Sequence, residues 1–423
     1  MNAPVSTGSS GLQGFLSRFE GLRARLPGDP TARLAAAEIL RASGLPGRRN
    51  EAWHYTNLRP VEEAAFFEPL TPLADCAARL AKVPSLGSRL VFVDGRFRDD
   101  LSEEPTAASF QPFALRGRFG TLAQPARDPL VALNTMLAED GAAIAVAKDT
   151  DGGTITMVSL ATEAHGRATA FHPRHVIRLA TGARLTLVEI AIGSGTYLHN
   201  PVTEIDVAEG ATFTHVRLQD EAATAFQLAT LYAAVAAGGT YDCFTLALGG
   251  RLARTETHAV LNGPGAIAHL NAAQLLTGVQ HADITSVVRH AAPNGTSRQT
   301  VKNVLSGRSR GVFQSRIEVA RAAQKTDGYQ MNQALLLSPD AEVDSKPELE
   351  IFADDVKCSH GATVGALDAE QLFYLQSRGI PAPEARSILV RAFLSEAIDA
   401  VTHDGAREVL EHAVAGWWER QAA

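Results

Sequence analysis

A mainly β protein is predicted, with a parallel β-helix core flanked by helical regions at both ends, and three observations carry that expectation. A glycine-led octapeptide recurs as GARLTLVE from Gly182, GATFTHVR from Gly210, GGTYDCFT from Gly238 and GAIAHLNA from Gly265, at separations of 28, 28 and 27 residues. Each of the first three glycines follows another strand-like run, HVIRLAT, TEIDVAE or YAAVAAG. Helix-forming composition, rich in Ala, Leu, Glu and Arg, gathers before about Gly141 and after Gly365.

One repeat therefore holds a strand, a glycine turn and a second strand. Such a unit cannot bury an apolar face alone and needs stacked neighbours, as in a solenoid. Leu185 with Leu187, and Ile205 with Val207, alternate as inward positions would. A weaker copy, GTSRQTVK, starts at Gly295. The core is expected over residues 141–366. A β-sandwich of similar turn spacing would give the same local signals.

Residues 1–140 read as mixed and mostly helical. Thr31–Ala42 and Leu130–Glu139 are helical segments, and Gly44, Pro46 and Gly47 punctuate the chain after the first. Leu90-Val91-Phe92-Val93 followed by Asp94-Gly95 predicts a hairpin across Arg89–Arg98. Residues 367–423 form a separate C-terminal helical domain. Asp368 is placed as an N-cap with Gln371 at N3, and Gly379 ends that helix, with Pro381 and Pro383 beyond. A second helix starts near Glu384 and a third covers Ala406 to Arg420. The second is apolar on two faces, Ile388/Leu389/Ala392 and Val390/Leu394/Val401. Such a helix sits deep in a core or presents one face to a partner.

Composition narrows the function. The 423 residues are 45% hydrophobic and 20% charged, with a net charge of −7, so a broad phosphate-neutralising footprint is excluded. Arg378, Arg386 and Arg391 give only local positive charge. Cys76, Cys243 and Cys358 are too few and too scattered for a disulfide framework or a C-x-x-C site. With no apolar leader in the first thirty residues and no long apolar stretch, a cytoplasmic protein is expected. No phosphate-cradling G-x-x-x-x-G-K-[ST] loop is present, so the chain should bind no nucleotide. His172 and His175 read as rung residues.

Chemistry concentrates in Ile351–Gly361, IFADDVKCSHG. As a strand, this run would put Asp354, Val356, Cys358 and His360 on one face, with Cys358 and His360 roughly 7 Å apart at Cα. A thiolate and an imidazole suit a soft or borderline metal centre but make half a tetrahedral site. The missing ligands would come from water, substrate or another subunit; a chance C-x-H at a domain joint gives the same pattern. Asp354 and Asp355 are adjacent and face opposite sides of a strand, which makes a poor acid–base pair for a carbohydrate-active β-helix enzyme.

ADDVKCSHGATVG followed by DAEQLFYLQSRGI resembles the SufB/SufD family of iron–sulfur cluster assembly scaffold proteins, as do RGVFQSRIEV, AQKTDGYQMNQALLLS, AEVDSKPELEI and the N-terminal RRNEAWHYTNL. The match is nearly continuous over residues 308–398. It implies a right-handed β-helix between helical domains. The KCSHG run and the low cysteine count resemble the SufD branch; the alternative is a SufB-like paralogue. The resemblance further implies partnership with SufB through the end of the β-helix and with SufC, an ABC-type ATPase, through the C-terminal helices. A homodimer is the alternative state of the isolated chain. Transient iron or a nascent cluster would sit at the SufB interface, where His360 faces a cysteine of SufB and Cys358 belongs to the same motif. For SufC docking it points to Leu372, Phe373, Tyr374, Val390 and Leu394. The chain itself would be a scaffold and not an enzyme.

Overall fold

A computed structural model describes residues 11–69, 76–163 and 166–422; the leaderless start expected from the sequence falls partly outside these. The N-terminal region holds α1 (Gly11–Leu22), α2 (Pro30–Ser43), α3 (Arg59–Glu63), α4 (Cys76–Leu80), β1 (Ser88–Val93), β2 (Arg96–Phe97), β3 (Ser109–Pro112), α5 (Phe113–Arg116) and α6 (Pro129–Leu137). The solenoid strands follow: β4 (Ala142–Val146), β5 (Asp151–Ala161), β6 (Thr169–Phe171), β7 (Arg174–Leu179), β8 (Arg184–Gly193), β9 (Tyr197–His199), β10 (Val202–Val207), β11 (Thr212–Asp220) and β12 (Phe226–Val235). They continue as β13 (Thr240–Ala247), β14 (Leu252–Leu261), β15 (Ile267–Leu276), β16 (His281–His290), β17 (Thr296–Leu305), β18 (Arg310–Val319), β19 (Asp327–Leu336), β20 (Glu342–Ile351) and β21 (Lys357–Gly365). Helices α7 (Ala369–Ser377), α8 (Ala382–Ile398) and α9 (Asp404–Ala422) close the chain.

Two sheets share the strands. One runs β2-β1-β5-β8-β11-β13-β15-β17-β19-β21, the other β20-β18-β16-β14-β12-β10-β7-β4-β3. From β4 on, successive turns stack in parallel register, Thr212 on Thr240 and Val202 on Thr230 for instance. This is the expected parallel β-solenoid. Gly182, Gly210, Gly238 and Gly265 each have a left-handed φ, between 59° and 69°, where the chain crosses between sheets. In the next turn that conformation belongs to Asn294 (φ 59°) and not to Gly295, which explains the weaker sequence match. Asparagine tolerates this region because its short polar side chain bonds locally.

The solenoid begins earlier than residue 141. β1 already pairs in parallel with β5, Ser88 opposite Ile155. The hairpin turn at Asp94 (φ 49°) and Gly95 (φ 80°) forms as expected and sends β2 back antiparallel along β1. β3, ending in Pro112, closes the other sheet antiparallel to β4. The N-terminal end is thus capped by short reversed strands, a common device for blunting sheet edges.

Leu185, Leu187, Ile205, Val207 and Phe213 fill the space between the sheets. Outside one sheet, Phe15, Phe19, Leu40 and Trp53 of the N-terminal region cover Phe226, Leu228 and Leu252. Outside the other, Val390, Leu394, Val401, Leu410 and Trp417 cover Val188, Ile190, Val216 and Leu246. The C-terminal helices therefore share a hydrophobic core with the solenoid. The Asp368 carboxylate accepts from the Glu370 and Gln371 amides, and Gly379 (φ 87°) ends α7 with the Ile380 amide donating to Leu375 O. No helix among the described residues is long and apolar enough to cross a membrane.

Candidate functional site

β20 and β21 are the last strands of their sheets, each hydrogen-bonded on one side only. Their free edges lie at the same end of the solenoid, near exposed Phe352 (65% accessible) and Val364 (55%). An uncovered edge of this kind is a template for pairing with another chain.

Cys358 and His360 alternate along β21 onto the side that faces the solenoid interior. Cys358 is half-buried against Ile317, Val319, Ala323 and Ala353. Its register partner is Gly328, where a Cβ would stand 3.3 Å from Sγ, so the glycine leaves the sulfur its place. Burial pushes the Cys358 thiol up, partly offset by a hydrogen bond with the Gly328 backbone. Since the thiolate is the ligand form, a bound metal would have to drive deprotonation. His360 is exposed and lies opposite Gln330. Lys357, Arg298, Asp327 and Tyr329 border a shallow hollow beside Cys358.

Asp354 is exposed and does not join this face, whereas Val356, although it precedes the strand, packs against the same cluster as Cys358. β21 starts only at Lys357, because residues 352–356 carry the chain from one sheet to the other. In that bend Asp355 receives the Lys325 amide on its carbonyl and donates its own amide to Gln324 Oε1. Among the described residues, no group of three or more His, Cys, Asp or Glu is arranged to hold a metal ion. Cys243 lies in the core, its thiol pushed up to about 11 by burial. His172 and His175 are buried rung residues, His175 Nδ1 accepting the Ala142 amide at 3.0 Å.

The C-terminal candidates divide. Phe373 (72% accessible) and Tyr374 (57%) are exposed on α7, and Leu372 is half-buried. Val390 and Leu394 are fully buried against the sheet and so present no surface to a partner. Of the two apolar faces of α8, that one serves the core. Ile388, Ala392 and Ser395 line a groove with Glu411 and Ala415 of α9.

Sequence reasoning missed what the Glu51-Ala52-Trp53 motif does. Trp53 is buried beneath the guanidinium of Arg254, 4.1 Å from the ring centre. Arg254 pairs with Asp283 and, at 2.8 Å, with Glu256. Thr56 Oγ1 donates to Asp283 at 2.5 Å, and Glu51 pairs with Lys346 at 2.7 Å. The motif fastens the N-terminal region to the outer face of the solenoid. Its signal was an aromatic-rich run, WHYTNL, without any periodic context.

Comparison with known proteins agrees with this architecture. Residues 160–393 match the family described as SUF system FeS cluster assembly, SufBD core domain, and residues 30–153 match the SufBD protein N-terminal region. The chain is 32% identical over 411 residues to the iron–sulfur cluster assembly protein SufD of Escherichia coli (strain K12), covering 96% of each. It is 30% identical to a SufBD family protein of Synechocystis sp., covering 87% of this chain and 86% of that one. A Mycobacterium leprae SufBD family protein is 26% identical over 90% of this chain and 93% of its own length. With both its N-terminal and core regions matched, and a SufD aligned over almost its whole length, the chain belongs to the SufB/SufD family and is SufD-like.

Proposed function

We propose that this chain is a non-catalytic scaffold subunit of the iron–sulfur cluster assembly machinery in the cytoplasm. Its open solenoid end pairs with SufB, and there His360, with Cys358 beside it, helps hold transient iron or a nascent cluster as cargo. Its C-terminal helices dock SufC, where ATP is hydrolysed. The observation that carries this reading is an exposed imidazole next to a half-buried thiol on an unpaired strand edge. Two ligands leave a tetrahedral iron incomplete, and an edge that must be covered by another chain is where the rest can be supplied. Phe373 and Tyr374, large apolar groups left in solvent on α7, support docking there. Three cysteines scattered along the chain suit a reducing compartment.

The test is co-expression with SufB and SufC, followed by anaerobic iron and sulfide analysis of the purified complex. His360→Ala should leave the complex intact and change this chain's stability by less than about 1 kcal/mol, as at a surface site, while cluster content drops strongly. Cys358→Ala should have an equal or milder effect. Phe373→Ser with Tyr374→Ser should lose SufC and keep SufB. A His360→Ala complex that forms clusters at the wild-type rate would refute the ligand role.

A further inference from the structure

The interior of the solenoid changes character along its length. In the early turns Leu185, Leu187, Ile205 and Phe213 share the interior with a charge-paired cluster, Glu189 with His215 and Arg217. From β15 on, five carboxamides stand between the sheets: Gln274, Gln299, Asn303, Gln330 and Asn332, each fully buried. Every one of them has a polar atom with no hydrogen-bond partner in the protein. Gln299 Oε1 accepts from Ser286 at 2.5 Å and Ser315 at 2.7 Å, and its Nε2 is left over. Gln330 Nε2 donates to Ser315 at 2.7 Å, and its Oε1 is left over. Gln274 Nε2 donates to Val312 O, leaving Oε1. Asn303 Nδ2 donates to Asn332 Oδ1 at 2.6 Å, leaving Asn303 Oδ1 and Asn332 Nδ2.

The orphans fit one another across rungs. Gln299 and Gln330 are register partners that offer a free donor and a free acceptor. Gln274 and Asn303 are register partners that offer two free acceptors. Neighbouring strands stand about 4.8 Å apart; Asn303 and Asn332 bond directly across that step, and the atoms left over are spaced so that one small molecule can bridge them. The five side chains carry no formal charge, which selects a neutral occupant able both to donate and to accept. Buried polar groups of this kind are regularly satisfied by ordered water.

We propose that Gln274, Gln299, Asn303, Gln330 and Asn332 line an internal file of bound water through the last turns of the solenoid. Its outer end lies at Gln330, the register partner of His360, so the file reaches the open edge from behind.

Two measurements on the full-length chain test this. A high-resolution crystal structure should show water density within hydrogen-bond distance of Gln299 Nε2 and Gln330 Oε1. Oxygen-17 relaxation dispersion, which reads waters held inside a protein, should lose amplitude in the double variant Asn303→Leu, Asn332→Leu. That pair removes two amides that bond each other, and circular dichroism checks that the variant folds. Should it not fold, the crystal density decides alone. An empty map at both atoms, or an unchanged amplitude in the folded variant, overturns the proposal.

Discussion

Trp53 and Arg254 form a stacked pair, the guanidinium carbon 4.1 Å from the ring centre, and Arg254 reaches past the ring to Asp283. Trp53→Ala removes the largest group in this contact and leaves Arg254 uncovered. The expected loss is about 3–5 kcal/mol, the usual cost of truncating a buried tryptophan. Trp53→Phe keeps a ring face and should lose clearly less. Urea denaturation measures both, and an Ala variant within about 0.5 kcal/mol of wild type, the range of a neutral surface change, would contradict the clasp.

Lys302, nearly inaccessible on the outer face of β17, pairs with Glu396 of α8 and lies 4.3 Å from the centre of the Phe393 ring. Glu396→Ala leaves a buried ammonium without its counter-charge. Because Glu396 is itself solvent-exposed, water replaces part of the interaction, and a cost of about 1–2 kcal/mol is expected. Amide exchange should quicken in α8 and α9 while β15 and β17 stay protected. Combining Lys302→Met with Glu396→Ala should restore protection.

Gly210 separates steric crowding from backbone strain. A Cβ there would meet nothing within 4 Å, yet φ is +64°. Gly210→Ala should cost about 1–2 kcal/mol from the left-handed conformation alone. Gly210→Asn should cost less, since Asn294 holds φ 59° in a later turn. Thermal midpoints of the two variants would show the order, and equal midpoints would contradict it.

Acid should unfold the chain from mildly acidic pH. Burial lowers His172 to about 3 and His175, His281 and His290 to about 4, from an ordinary value of 6.5. The unfolded chain then binds more protons than the folded one below pH 6.5. Stability is complete above that value and is lost as pH falls towards the folded values. Asp128, raised to about 6 by burial and the nearby Glu256, runs the other way and loses its contribution as pH rises through 6. His172→Gln should flatten the slope of stability against pH between 6.5 and 4 by about one proton; an unchanged slope would argue against a neutral buried His172.

The repeat was legible because its turns require a left-handed residue at a fixed interval, and glycine marks that requirement in plain letters. The same signal faded at residue 295 because asparagine met the requirement one position earlier. The strand at Ser88–Val93 could be read as a strand but not as the first rung, since its partner β5 begins at Asp151 beyond an insertion that breaks the spacing. Alternation set Cys358 and His360 on one face and the family resemblance gave them a role, whereas Asp354 fell off the strand because periodicity does not say where a turn begins. For α8 the two apolar faces were visible, but which one the sheet buries depends on Val188, Val216 and Leu246, far away in sequence. The amide-lined interior left no trace, because Gln299 and Gln330 occupy inward positions where period-two reasoning looks for apolar residues.

The two ends of the solenoid are unequal, and that inequality fixes how copies or partners can assemble. One end is closed by the short reversed strands β2 and β3, the latter ending in a proline that has no amide to donate. The other offers two long parallel edges, β20 and β21. Head-to-tail stacking, the arrangement that propagates into filaments, would need both ends open. Joining two open ends uses up both and leaves a capped terminus facing outward on each side. Edge pairing of that kind would therefore stop at two subunits.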